Sequence, residues 1–336
     1  MKRILCLALM LCALTGCSAE AAAQPQPEVT EPWEKADTFL SFATAKAKSD
    51  EELDRMAELV AEHSEGGIYC NIYASGRMGG DTELMQAVLS GSISVIELST
   101  SSQTACIPAL SLLDTPFLFA DQKSCNEMLN GPLLDFFQPY YNEAGLQLLA
   151  WGSSSFRQLS SSIPVEQPRD LARLTIRVID DPYHALFWSS VGAKTVRLPF
   201  SDLFYSIQQG AVNAQENPPG VVVNLNIQQL QPYLLLTNYL PHISAVVMNK
   251  GVYDSLAPEE QTAVAACFRD YCRMEREENN EQNRQAIYDQ FEQVTVPGAA
   301  LRARLEEGAQ AVRRQLEADL GEDLTRQFYA LIEAGA

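Results

Sequence analysis

Apolar and polar residues alternate along this chain in two rhythms, one helical and one of period two, and the switches between them mark its elements. Residues 174–218 show this best. Residues 174–178 (LTIRV) are apolar except for Arg177. Asp181-Pro182 then opens a helix, with Asp as cap and Pro at the first helical position, and Gly192 closes it. Residues 195–198 read as the next strand. Ser201 caps a second helix ending at Gly210, and residues 211–215 form a third strand, stopped by Asn217-Pro218-Pro219. This β-α-β-α-β order predicts parallel pairing. Ligands of such sheets sit beyond the carboxyl ends of the strands, and Arg177, Phe200 and Asn217 fall at or just after those ends. An arginine fork beside an asparagine amide suits a carboxylate.

The same rhythms organise the rest. Upstream they predict a strand over 38–44, an amphipathic helix over 50–63 and a strand over 68–73. A glycine turn, ASGRMGGD, leads into a helix over 82–89, whose free N–H groups either face an anion or follow a tight turn. A strand over 92–97 puts Glu97 at its carboxyl end, as a surface charge or as a partner for ligand hydroxyls. An apolar crossover (113–119), helices over 122–129 and 133–144 and a buried strand over 146–151 come next. Downstream lie a helical segment (221–231), strands over 233–237 and 245–249, a long helix over 258–292 and helices over 301–320 and 324–332. Arg157 stands twenty residues before Arg177, which stands forty before Asn217. One strand plus one helix takes about twenty residues, so rim positions recur at that interval and Arg157 joins the candidate site. Arg197 shares the spacing, but its alternation with Val196 and Leu198 turns it to solvent.

Composition adds limits. With 336 residues, 46% of them hydrophobic, two domains with real cores are possible. A net charge of −19, from 43 acids and 24 bases, disfavours nucleic acid or an anionic membrane as partner. An anionic ligand must therefore be held by local arginines. The N-terminus reads as an export signal: Lys2 and Arg3 precede a thirteen-residue apolar run, too short to span a bilayer comfortably. LTGC at 14–17 resembles a bacterial lipoprotein cleavage box, which implies removal of residues 1–16 and lipid on Cys17; an ordinary secretory signal is the alternative. Residues 17–35 form a tether. Five of the eight cysteines lie in the folded part, with no CxxC or Cys/His cluster, so neither zinc nor a disulfide framework is indicated, and at most one pair is bridged. No cofactor or metal is implied. His63, His184 and His242 are the only histidines, and none sits in a metal or triad motif. His184 reads as helix surface or packing.

Four stretches now stand together in order: YASGRMGG, LLDTPFLFADQKSCNEMLNGP, LTIRV and LPFSDLFYSIQQGAVNAQENP. They resemble the solute-binding proteins of tripartite ATP-independent periplasmic (TRAP) transporters, of the dicarboxylate-binding type, over residues 36–335. The resemblance implies an α/β, two-lobed periplasmic-binding-protein-like fold: mixed sheets flanked by helices, a hinge and a long helix spanning both domains. Residues 36–154 plus 243–282 would form lobe I, and 155–242 plus 283–336 lobe II. It implies a ligand carboxylate on Arg177, assisted by Asn217, with Arg157 reaching the same ligand. Phe200 would pack on the ligand's apolar face, and Glu97 would hold polar groups. A monomer delivering a small carboxylate to the membrane subunits of a permease, and touching the membrane only through its lipid, is the implied function. A ligand-sensing partner of a membrane receptor and a lipid-anchored enzyme are the alternatives. Asn213-Ala214 replaces the family's Asp-Gly, and Asp202 its Glu.

Overall fold

The structure, a computed structural model, describes residues 32–278 and 281–335. The expected signal segment, Cys17 and most of the tether lie outside them. The chain begins β1 (Thr38–Thr44), α1 (Asp50–His63), β2 (Ile68–Tyr73), α2 (Asp81–Ser90), β3 (Val95–Ser99), then two 3-10 turns, α3 (Gln122–Leu129) and α4 (Pro132–Glu143). It continues with β4 (Leu146–Ser161), β5 (Thr175–Val178), α5 (Pro182–Ser190), β6 (Lys194–Arg197), α6 (Leu203–Gln208), β7 (Ala214–Asn217) and α7 (Pro219–Asn224). Last come β8 (Tyr233–Asn249), α8 (Lys250–Ser255), α9 (Pro258–Glu278), α10 (Glu281–Tyr288), β9 (Gln293–Thr295), α11 (Ala299–Leu320) and α12 (Glu322–Ala334).

Local chemistry explains many of these boundaries. Ser49 caps α1 through a capping box: its hydroxyl accepts from the Glu52 N–H, and the Glu52 carboxylate accepts from the Ser49 N–H. The Asp181 carboxylate caps α5, accepting from the N–H groups of Tyr183 and His184 at 2.7 and 3.1 Å, with Pro182 as first helical residue. Ser201, by contrast, caps nothing. It sits in a 3-10 turn, Phe200–Asp202, and α6 starts after it without a side-chain cap. The expected helix over 221–231 breaks at Asn226, which adopts φ 55°. Of the expected long helix over 258–292 the described residues form α9 and α10, and α10 ends at Tyr288, before the predicted end.

One mixed sheet runs through the molecule in the order β2-β1-β3-β8-β4-β7-β5-β6, with β9 on β8. The β5–β6 and β5–β7 pairs are parallel, as the β-α-β-α-β pattern requires. At the centre β4 and β8, 16 and 17 residues long, run antiparallel from one half of the sheet into the other. Sequence pattern alone had predicted shorter pieces here. The register slips between Ser153/Ile243 and Phe156/Pro241, so Ser154 and Ser155 stand opposite His242, a bulge where the two halves meet.

Each half has apolar cores on both faces. In the first, Ala43, Ile96, Leu148 and Val247 face α2, α3 and α4, while Phe42, Val95, Val246 and Met248 face α1 and α9. Alternation along each strand produces the two sets. In the second half Leu159, Ile176 and Val178 pack on α5 and α11, and a smaller cluster of Leu203, Val222 and Leu234 lies under α6 and α7. Burying each such side chain stabilises by about 1.5–3 kcal/mol. Cys70, Cys125, Cys267 and Cys272 are buried, Cys106 is exposed, and none of the five is bridged.

Candidate functional site

Arg177 is the third residue of the four-residue strand β5, inside the strand rather than past its end. It is 1% exposed. Its Nε and Nη2 both donate to the Leu198 carbonyl, at 3.0 and 2.6 Å, and it makes no ion pair among the described residues. Burial pulls its pKa down to about 10. Glu216 opposes that fall, and Arg157 adds to it. Asp81, the first residue of α2, and Asp202, in the turn before α6, also hold its charge. The guanidinium is therefore desolvated and has no contacting carboxylate among the described residues.

Arg157 differs. It is 3% exposed and in ion contact with Glu216 through Nε. Its Nη2 donates to Glu216 Oε1 at 3.0 Å, to the Glu216 carbonyl at 2.7 Å and to Asn217 Oδ1 at 3.0 Å. This arginine does not reach the site by the twenty-residue repeat. Strand β4 runs antiparallel to β7, so Arg157 occupies no equivalent rim position. It arrives through the Gln158↔Asn217 register.

Glu216 is the residue that the sequence reasoning missed. It leaves β7 on the opposite face from Asn217 and accepts from Tyr239 OH at 2.6 Å. His184 Nδ1 lies 3.4 Å from Glu216 Oε1, and His184 Nε2 lies 3.2 Å from Asp114 Oδ1. Ser101 Oγ donates to the same Asp114 oxygen at 2.6 Å. His184 is thus neither helix surface nor plain packing; it is a 2%-exposed bridge between two carboxylates. Burial alone would lower its pKa, but Glu216 and the hydrogen bond to Asp114 raise it to about 10. Glu216 is held below the usual carboxylate range, because Arg157 and His184 outweigh its burial. Asp181 is pushed up to about 6 by burial and by Asp114 beside it. Asp114, Asp181 and His184 bring possible metal-ligand atoms within 4.8 Å of one another. Both His184 nitrogens already face carboxylates, however, so the set behaves as a buried ion cluster. A charged residue within the strand segment AQEN was the available signal.

Asn217, the last residue of β7, donates from Nδ2 to Gln215 Oε1 at 2.5 Å. Phe200 stands in the turn after β6 and is 36% exposed. Arg197 is exposed and paired with Asp180, as its alternation predicts. Glu97 is not at a strand end. It is the middle residue of β3, 1% exposed, and belongs to a second cluster in the first half of the sheet. Lys46 Nζ is in ion contact with it, Ser244 Oγ donates to it at 2.8 Å and Tyr271 OH at 3.2 Å. Burial would raise its pKa, but Lys46 and Lys48 hold it at about 2. His242 stands between the clusters. Burial, with Arg157 and Lys46 acting in the same direction, lowers its pKa to about 3. The structure brings Arg157 and Asn217 into contact and sets Arg177 within reach of Arg157's charge. Among the described residues no hydrogen bond or ion pair joins Glu97 to any of the three.

Comparison with known proteins matches residues 39–319 to a family model described as bacterial extracellular solute-binding protein, family 7. The 2,3-diketo-L-gulonate-binding periplasmic protein YiaO of Escherichia coli is 29% identical over 62% of this chain and 64% of its own length. The C4-dicarboxylate-binding periplasmic protein DctP of Rhodobacter capsulatus is 23% identical over 83% of this chain and 85% of its own. Among solved structures, the sugar acid binding protein DctPAm of Advenella mimigardefordensis, in complex with galactonate, superposes with a TM-score of 0.82. It is 22% identical and covers 89% of this chain and 98% of its own.

Proposed function

The chain belongs to bacterial extracellular solute-binding protein family 7, and from that premise we propose that Arg177 is where it holds the carboxylate of its ligand. The protein is a ligand-binding transport protein, not an enzyme, and the family role is delivery of a small organic acid to a TRAP-type permease. The observation that supports Arg177 is its buried guanidinium with no ion pair among the described residues. A buried charge is costly unless paired and hydrogen-bonded, and a carboxylate supplies both through its two-pronged fit to arginine. Asn217 and Arg157 complete the donor set, and Phe200 gives the ligand an apolar wall.

The antiparallel β4–β8 pair that runs between the halves supports a closing motion. Residues 36–154 plus 243–282 form one lobe and 155–242 with 283–320 the other, turning about the β4–β8 bulge; α12, expected in the second lobe, instead packs Phe328 and Ile332 into the first lobe's core against α4. Only a ligand touching both lobes selects the closed form. Export with removal of residues 1–16 and lipid on Cys17 places a monomer outside the cytoplasmic membrane. No helix among the described residues is long and apolar enough to cross one. Titration calorimetry on a panel of organic acids, with Arg177→Ala alongside, tests the carboxylate assignment. Equal affinity of both proteins for every acid that binds overturns it.

A further inference from the structure

Away from the central strands, side chains also join the first half of the sheet to the second. Ser101 and Asp114 lie in the two 3-10 turns after β3, and Thr104 lies between those turns. Asp181 and His184 open α5, which follows β5. His184 Nε2 lies 3.2 Å from Asp114 Oδ1 and 3.4 Å from Ser101 Oγ, and Thr104 Oγ1 donates to Asp181 Oδ2 at 3.3 Å. One carboxylate oxygen of Asp114, one of Asp181 and one nitrogen of His184 all lie within 4.8 Å of one another. Two acids, one from each half, therefore face each other.

The charges around them do not balance. Two cations, Arg157 and His184, stand among three carboxylates, Glu216, Asp114 and Asp181. Asp114 is 4% exposed and Asp181 0%. The cation beside Asp181, His184, already stands between Asp114 and Glu216. Asp181 Oδ1 is taken up by the amides of Tyr183 and His184, and Asp114 Oδ2 is buried without any hydrogen-bond partner. The neighbouring groups bring no relief. Tyr183 OH donates to Asp319 on α11 at 2.9 Å, Ser102 Oγ donates to Asp81 on α2 at 2.5 Å, and Asp180 is paired with Arg197. Two carboxylates brought together out of water do not both ionise freely: one holds a proton more firmly than it would in solution. Burial first, and Asp114 second, push Asp181 up from 3.8 to about 6, against His184 and the two amides.

We propose that the Asp114–Asp181 pair is a proton-linked latch: Asp181 takes one proton from solvent when the lobes close and returns it when they part, so acid tightens ligand binding. This rests on the reading of the protein as two lobes that close on a carboxylate at Arg177, and it names how that site is regulated. With the lobes apart, water reaches both carboxylates and both ionise. With the lobes together, the proton turns the Asp181 carboxylate into a neutral carboxyl, and the remaining charges cancel in number. The sign follows from the raised pKa of the closed form. The proton's contribution to closure is fully present below pH ~3.8 and is lost as pH rises through about 6.

The test is titration calorimetry of the mature protein at pH 5 and pH 8, using the tightest-binding acid of the organic-acid panel. Wild type is expected to bind that acid about tenfold more tightly at pH 5 than at pH 8. Asp181→Asn keeps the helix cap but carries no titrating proton, so its affinity should be the same at both pH values. A residue that only capped α5 would leave the pH profile unmoved. Asp114→Asn, which takes away the facing charge from the other half, should flatten the profile as well and serves if Asp181→Asn does not fold. A flat profile in wild type overturns the latch, and so does an equal pH dependence in wild type and the variant. If Arg177→Ala still abolishes binding in those cases, the carboxylate site stands without the latch. If no acid of the panel binds at either pH, the carboxylate reading of Arg177 falls, and its regulation with it.

Discussion

Arg157 and Arg177 make a controlled comparison. Both lie on strands of the same sheet half, and both are almost wholly buried. One has its counter-charge inside the chain and the other does not. Arg157, Glu216, His184 and Asp114 form a relay in which each charge faces an opposite one. Removing a member strands its neighbours. Among the described residues Arg177 hydrogen-bonds only to the Leu198 carbonyl, so a dipole rather than a contacting carboxylate compensates its charge. Burial of a cation does not by itself mark a ligand site: Arg157 is as deeply buried as Arg177 and has its counter-ion inside the chain.

The largest expected effect falls on the closed relay. Glu216→Ala leaves Arg157 and His184 buried without their shared carboxylate and should cost about 3–5 kcal/mol of folding stability, read by denaturant unfolding without ligand. A loss under about 1 kcal/mol would mean that the relay contributes little and that the two arginines are not different in kind.

Arg177→Ala should behave oppositely. Folding stability stays within about 1 kcal/mol or rises, since an uncompensated charge has been removed, while ligand affinity falls by about 2–5 kcal/mol. Arg177→Lys should recover little of it, because a single ammonium cannot reproduce the two-pronged contact. Calorimetry on the cognate acid separates these outcomes.

The relay should also carry a pH signature. His184 has its pKa raised from 6.5 to about 10, so its contribution is complete below pH ~6.5 and is lost as pH rises through about 10. Wild type should therefore lose more stability between pH 7 and 10 than His184→Gln does. Thermal unfolding of both at pH 7, 8.5 and 10 checks this, and parallel pH profiles would remove His184 from the relay. The smallest effect belongs to the exposed pair Arg197–Asp180: Arg197→Ala should change stability by no more than ~0.5 kcal/mol. A larger loss would show that strand alternation misjudged that arginine.

What the amino-acid sequence by itself determined was whatever depends on near neighbours. Period-two and helical patterning placed most of the strands and helices, and Asp181-Pro182 the start of α5, because caps and alternation act over a few residues. Ser201 and Asn226 mark the limit, where turn conformation overrode a plausible pattern. Arg177, Arg157 and Asn217 were legible as candidates from residue type and approximate position. Their division of labour was not. Glu216 meets Arg157 across 59 residues, His184 meets Asp114 across 70, and Lys46 meets Glu97 across 51. Such pairings are created by strand order and register, which no local pattern encodes. Only the tertiary structure decided that Glu97 sits inside a strand with its own cation, that Arg157 is neutralised at home, and that Arg177 is buried with no contacting carboxylate among the described residues.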